Sequence, residues 1–70
     1  MNNFIKSHLE KLQDNHFLYP DIELRALLNK TSKLKKEIIF SNFEIDQINL
    51  NLFQKAFARR LVNEPLAKIF

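Results

Sequence analysis

The side chains of this chain that could do chemistry are histidines, carboxylates and clustered cations. Its two histidines, His8 and His16, fall on different predicted elements and do not form a zinc-binding pair. The sequence has no Cys, which excludes a thiolate zinc site, a cysteine nucleophile and a disulfide. It also has no Gly, so it lacks the glycine-rich loop that cradles a nucleotide or S-adenosylmethionine.

The carboxylates mostly flank predicted helix ends, where helix capping explains them better than acid–base catalysis does. They are Asp14, Asp21, Glu23, Glu37, Glu44, Asp46 and Glu64. No Ser–His–Asp order is apparent, and a chain this small hardly supplies a walled cleft. The sequence therefore predicts no catalytic site and no metal site within this chain.

Two groups of cations suggest contact with an anionic partner. They are the run Lys30, Lys33, Lys35 and Lys36, and the pair Arg59 and Arg60. One interpretation is nucleic-acid or acidic-protein binding, and the other is a solvated helix face with charges that complement the helix dipole. Because no aromatic residue is interleaved with these charges, the solvated face is preferred. The net charge of +3 favours anionic partners without establishing one.

Apolar residues at helical spacing predict the elements that position these groups. The predicted helices are Phe4 to Asp14, Asp21 to Asn29 or Lys30, Lys33 to Ser41, a long helix after an Asp46 cap that ends before Asn63, and a short one from Pro65. Glu37–Phe40 favours a strand by propensity, but helix is preferred because no partner strand is evident. The predicted fold is all-α, a compact bundle of four to five short helices in one domain over residues 1–70.

Several local features carry specific expectations. Ile45 and Leu50 are expected to pack as a hydrophobic staple around the Asp46 cap. Asn42 and Asn63 are expected to have positive φ, because Asn visits the left-handed region more easily than most residues. The connector Phe17–Tyr19 is expected to join the core.

Ion pairs and exposed groups are predicted as well. Glu23 and Arg25 are interpreted as members of a structural ion pair or cap, and Arg60 is expected to pair with Glu64. His8 is expected at an edge or on the surface. No apolar run approaches the roughly 18 residues of a membrane span, and no signal peptide is evident, so a cytoplasmic protein is predicted.

Two segments resemble a known family. The residues Arg59-Arg60, Asn63-Glu64-Pro65-Leu66-Ala67 and Ile69 resemble the segment "RR…(G/N)EP(L/I)A(Y/H)(I/L)" of the HemK/PrmC-type release factor glutamine N5-methyltransferases. That segment closes the small helical N-terminal domain of the family. Glu23–Leu28 resembles the "EARLLL" segment of the same domain. Two departures are Lys68, which replaces an aromatic residue or His, and Phe70, which stands where the family usually continues to Gly.

The resemblance implies a substrate-recognition domain that binds a peptide chain release factor. The full enzyme would transfer a methyl group from S-adenosylmethionine to the Gln side chain of the release factor's Gly-Gly-Gln motif. The Rossmann-like catalytic domain, with its glycine-rich loop and Asn-Pro-Pro-Tyr signature, is not in these residues, so this segment is expected to bind no cofactor. Contacts with the release factor or the catalytic domain are predicted at Arg59, Arg60 and Lys68, which flank the junction. The alternatives are a free-standing basic helical module that binds nucleic acid, and an interaction or regulatory domain with no enzyme attached.

Overall fold

The computed structural model of the chain describes residues 2–34 and 36–70. Within them, four α-helices and two 3-10 turns form a small bundle without strands, which confirms the predicted all-α class. The helices are α1 (Asn3–Asp14), α2 (Pro20–Lys30), α3 (Leu50–Leu61) and α4 (Leu66–Ile69), and the 3-10 turns are Phe40–Asn42 and Ile45–Gln47. No helix of the described part of the chain is long and apolar enough to cross a membrane.

Helix α1 begins and ends through local hydrogen bonds. The Asn2 side-chain oxygen accepts from the backbone N–H of Phe4 at 2.7 Å and of Ile5 at 3.3 Å, which caps the helix. At the other end, His16 has a φ of 66°, and the N–H of Phe17 donates to the carbonyl of Leu12 at 3.1 Å. This Schellman arrangement turns the chain sharply and brings Phe17 back against the bundle.

The connector prediction is therefore right only for its first residue. Phe17 is half-buried and packs against the core. Leu18 and Tyr19, by contrast, are 86% and 63% exposed. In a Schellman motif the second residue after the helix cap makes the hydrophobic contact with the helix. Here that residue is Phe17, and the two residues that follow it stay in solvent.

The helix predicted over Lys33–Ser41 does not form over the described residues of that range, from which Lys35 is excluded. Instead, Lys33 donates its backbone N–H to the carbonyl of Gln47 at 2.8 Å, and Asn49 donates to the carbonyl of Thr31 at 2.8 Å. The N–H of Ile38 donates to the side-chain oxygen of Asn29 at 2.8 Å. These long-range bonds satisfy the backbone that a helix would have satisfied locally.

The long helix begins at Leu50, so the predicted Asp46 cap is wrong. Asn49 caps α3, because its side-chain oxygen accepts from the N–H of Leu52 at 3.1 Å. Asp46 lies in a 3-10 turn, where Ile45 is 48% exposed and cannot serve as the residue before the cap in a staple. Between turn and helix, Ile48 is extended and buried, which places its side chain in the core.

Helix α3 ends as expected, at a left-handed asparagine. Asn63 has a φ of 65°, and its N–H donates to the carbonyl of Arg60 at 2.9 Å. The positive φ expected at Asn42 is wrong, since that residue lies in a 3-10 turn with negative φ. Eleven buried apolar side chains form the core: Ile5, Leu12, Leu24, Leu27, Leu28, Ile38, Phe43, Ile48, Phe53, Ala56 and Phe57.

Candidate partner-binding surface

Arg60, a predicted contact residue, points into the bundle from the last turn of α3. Its Nε and Nη2 donate to the two carboxylate oxygens of Glu23 on α2, each at 2.9 Å. Its guanidinium carbon lies 5.0 Å from the centre of the Phe17 ring, and its Nη1 donates to the backbone carbonyl of Glu64 at 3.2 Å. The hydrogen bonds to Glu23 raise the pKa of Arg60. The contacts around Arg60 therefore tie α2, the connector and the end of α3 together.

Arg59, the next predicted contact residue, lies on the outer side of the same turn. Its Nε and Nη2 donate to the carboxylate of Glu64 at 2.6 and 2.7 Å, and Nη2 also donates to the carbonyl of Lys68 at 3.2 Å. The hydrogen bonds from Arg59 lower the pKa of Glu64. The expected ion pair between Arg60 and Glu64 is thus replaced by one between Arg59 and Glu64, because Arg60 turns inward to Glu23.

These contacts join the two segments that carry the family resemblance. Glu23 belongs to the segment Glu23–Leu28, and its ion-pair partner Arg60 belongs to the segment that begins at Arg59. The ion pair predicted around Glu23 forms, with Arg60 as its partner. Arg25 makes no ion pair within residues 2–34 and 36–70, and its guanidinium lies over the Phe40 ring at 5.5 Å instead. The ion pair between Glu23 and Arg60 therefore holds α2 against the end of α3.

The third predicted contact residue, Lys68, lies exposed on α4, next in sequence to Ile69, which lines a groove. The groove has a volume of about 470 Å³ and runs between α3 and α4. Its lining residues are Leu52, Lys55, Ala56, Ala58, Arg59 and Ile69. Arg59 lines this groove and donates to the backbone carbonyl of Lys68, whereas Arg60 faces α2.

Sequence reasoning missed the groove and the residues that line it. The spacing of Leu52, Lys55, Ala56 and Arg59 at three and four residues places them on one side of a helix. These residues lie next to the core-facing stripe of the same helix, so their spacing predicts a second face on α3. The position of α4, which supplies Ile69, depends on the turn at Asn63 and was not readable from periodicity.

His8 occupies a more interior position than expected. Its ring is half-buried. The centre of the His8 ring lies 4.2 Å from the ring centre of Phe4, 5.2 Å from that of Phe53 and 4.7 Å from that of Phe57. Nδ1 lies 2.7 Å from the carbonyl of Phe4, and because a carbonyl only accepts, Nδ1 carries the proton. Burial lowers the pKa of His8. Among residues 2–34 and 36–70, no cluster of His and carboxylates could hold a metal ion.

The lysine run does not form a helix face, because the helix that would have organised it is absent. Lys30 ends α2, and Lys33 and Lys36 lie exposed on the irregular segment that follows. Phe40, the nearest aromatic residue along the chain, is half-buried with Arg25 over its ring. The described lysines of the run are therefore exposed cations with no exposed aromatic ring next to them on which a nucleic-acid base could stack.

No family model, curated protein or solved structure matches this chain. The resemblance described above consequently rests on the two short sequence segments alone.

Proposed function

We propose that this chain is the release-factor-binding N-terminal domain of a HemK/PrmC-type glutamine N5-methyltransferase. It holds a peptide chain release factor in the cytoplasm, while a separate catalytic domain binds S-adenosylmethionine and methylates the Gln of the Gly-Gly-Gln motif. The ion pair between Glu23 and Arg60 is the observation that supports this proposal most directly. It links the two resembling segments across 37 positions of sequence, as expected if they are parts of one domain signature.

The surface chemistry supports a binding role for the chain. Two of its arginines are engaged in internal ion pairs, Arg59 with Glu64 and Arg60 with Glu23. The groove beside α4 is lined mainly by apolar side chains. A helical bundle with a shaped apolar recess is suited to gripping another protein.

Binding of the 70-residue chain to a purified peptide chain release factor, measured by isothermal titration calorimetry, tests the proposal. We expect saturable binding that changes little from about 50 to 200 mM salt, because apolar contacts are weakly screened. The matched control is the same titration with a mixed-sequence single-stranded RNA, for which we expect no saturable binding. Absence of binding to any release factor would contradict the proposal.

A free-standing nucleic-acid-binding module is the second candidate, favoured by the exposed Lys30, Lys33 and Lys36. If these lysines contact phosphates, log K for single-stranded RNA should fall against log salt with a slope of about −2 for three contacts. The triple variant Lys30→Glu, Lys33→Glu, Lys36→Glu should then abolish RNA binding. The same variant should leave release-factor binding nearly unchanged if the first proposal is correct.

A further inference from the structure

Residues 36–39 are joined to the rest of the fold by few contacts. They lie in neither a helix nor a strand, and Ile38 is their one buried side chain, at 2% exposure. Ile39, the next residue, has extended backbone dihedrals and is 61% exposed. Because successive side chains of an extended chain point to opposite sides, one isoleucine enters the core and the other faces solvent. The burial of this segment therefore depends on a single side chain.

Asn29, in the last turn of α2, holds Ile38 in this position. Its Oδ1 accepts the backbone N–H of Ile38 at 2.8 Å, and its Nδ2 donates to the backbone carbonyl of Arg25 at 2.9 Å. The bond to Arg25 fixes the orientation of the amide, so that Oδ1 faces the segment. Ile38 is the one residue of 36–39 whose backbone N–H donates to another described residue. One hydrogen bond and one buried side chain are therefore the main attachments of residues 36–39 to the bundle.

The chain is anchored firmly on both sides of this segment. Before it, the N–H of Lys33 donates to the carbonyl of Gln47 at 2.8 Å. The carbonyl of Thr31 likewise accepts the N–H of Asn49 at 2.8 Å. After it, Phe43 is buried in the core at 3% exposure. A movement of the segment can therefore end at these anchors without unfolding the helices.

Open space beside the segment leaves room for such a movement. One recess, of about 390 Å³, is lined by Arg25 and Glu37–Ser41. Another, of about 450 Å³, is lined by Asn29, Leu34, Lys36 and Glu37. Close packing opposes displacement of a buried group, because its neighbours must move with it. The segment is free of that constraint on the sides that these recesses occupy.

We propose that residues 36–39 open as a unit while α1, α2 and α3 stay folded, and that Asn29 sets how often they do. Opening breaks the hydrogen bond between Ile38 and Asn29 and carries the Ile38 side chain into solvent. Segments with few buried apolar contacts and few hydrogen bonds open at a lower free energy than the whole domain unfolds. The open state uncovers the core surface that Ile38 covers, so Asn29 controls the exposure of that apolar surface. This inference is independent of the partner named in the proposed function.

Native-state hydrogen exchange, followed by NMR on the unsubstituted 70-residue chain at increasing urea concentration, tests the opening itself. The amide of Ile38 should exchange at least about tenfold faster than the amides in the middle of α2 and α3, because it is released without global unfolding. Its exchange should also depend only weakly on urea, since a local opening exposes little surface. Exchange of Ile38 at the rate and with the urea dependence of the α3 amides overturns the inference, whether or not any variant folds.

Two pairs of matched variants test the role of each attachment in the same experiment. Asn29→Ala should speed exchange of the Ile38 amide at least about tenfold relative to the α3 amides. Its control is Asn15→Ala, because Asn15 Nδ2 donates to the carbonyl of Lys11 at 2.8 Å in the same way but lies at the end of α1. Ile38→Ala should speed exchange at position 38 by a similar factor, whereas Ile39→Ala, at an exposed site, should leave it within about twofold. Equal acceleration by both members of either pair, or an equal acceleration of the α3 amides, overturns the inference.

Discussion

Removal of the Arg60 guanidinium tests whether the ion pair between Arg60 and Glu23 stabilises the fold. In Arg60→Met the carboxylate of Glu23 keeps its position, where its side chain is only 20% exposed, but loses both charged hydrogen bonds. Hydrogen bonds to charged groups contribute about 1.5–3 kcal/mol, and the cation–π contact with Phe17 adds about 0.5–1 kcal/mol. We therefore expect a loss of about 2–4 kcal/mol in the free energy of unfolding.

That loss is large for a domain of this size. A chain of 70 residues is expected to have an unfolding free energy of roughly 4–10 kcal/mol. Since each kcal/mol lowers the melting temperature of such a domain by about 4–8 °C, Arg60→Met should lower it by roughly 8–32 °C. Urea denaturation followed by far-UV circular dichroism measures the free energy directly.

Arg59→Met is the matched control, because it removes an equally bidentate pair from the adjacent position. Arg59 and Glu64 are 45% and 31% exposed, so water and salt screen their attraction and the loss should be clearly smaller. A double-mutant cycle with Glu23→Gln and Arg60→Met should give a coupling energy of about 1–3 kcal/mol. Equal destabilisation by the two Met variants would refute the claim that burial of the inner pair, rather than ion pairing as such, closes the fold.

Three further predictions concern buried polar groups and backbone conformation. Burial lowers the pKa of His8, so the folded state binds a proton at this ring more weakly than the unfolded chain does. Stability should therefore be full above the unfolded pKa of about 6.5 and should fall as the pH drops below it. The variant His8→Gln should abolish this pH dependence and His16→Gln should not, as measured by the midpoints of urea denaturation. Thr31→Val removes a buried hydroxyl that donates to carbonyls of the preceding helical turn and should cost about 1 kcal/mol in thermal or urea unfolding. Asn63→Ala should cost about 1–2 kcal/mol because its φ is 65°, whereas Asn63→Gly and Asn42→Ala should change stability little; equal effects of Ala at both positions would contradict the assignment.

Helix existence was predictable because its causes are local. The apolar spacing of Leu24, Leu27 and Leu28 predicted a buried face, and all three are fully buried. The caps at Asn2 and Asn63 were predictable for the same reason, since each acts on backbone groups within a few residues. The contact between Arg59 and the carbonyl of Lys68, nine residues later, depends in addition on the turn at Asn63.

Tertiary structure decided what local pattern left open. The segment after Thr31 has apolar spacing that suits a helix, yet the N–H of Lys33 donates to the carbonyl of Gln47, and the carbonyl of Thr31 accepts from Asn49. These bonds lie beside the buried Ile38 and Ile48, whose burial depends on partners that are distant in sequence. In the same way, adjacent arginines of identical helix propensity took opposite roles, one partly buried against Glu23 and one exposed. Sequence by itself determined where helices form through contacts within one or two turns. Only the packed fold determined the path of the segment after Thr31 and which of the two arginines turns inward, because both depend on partners that are distant in sequence.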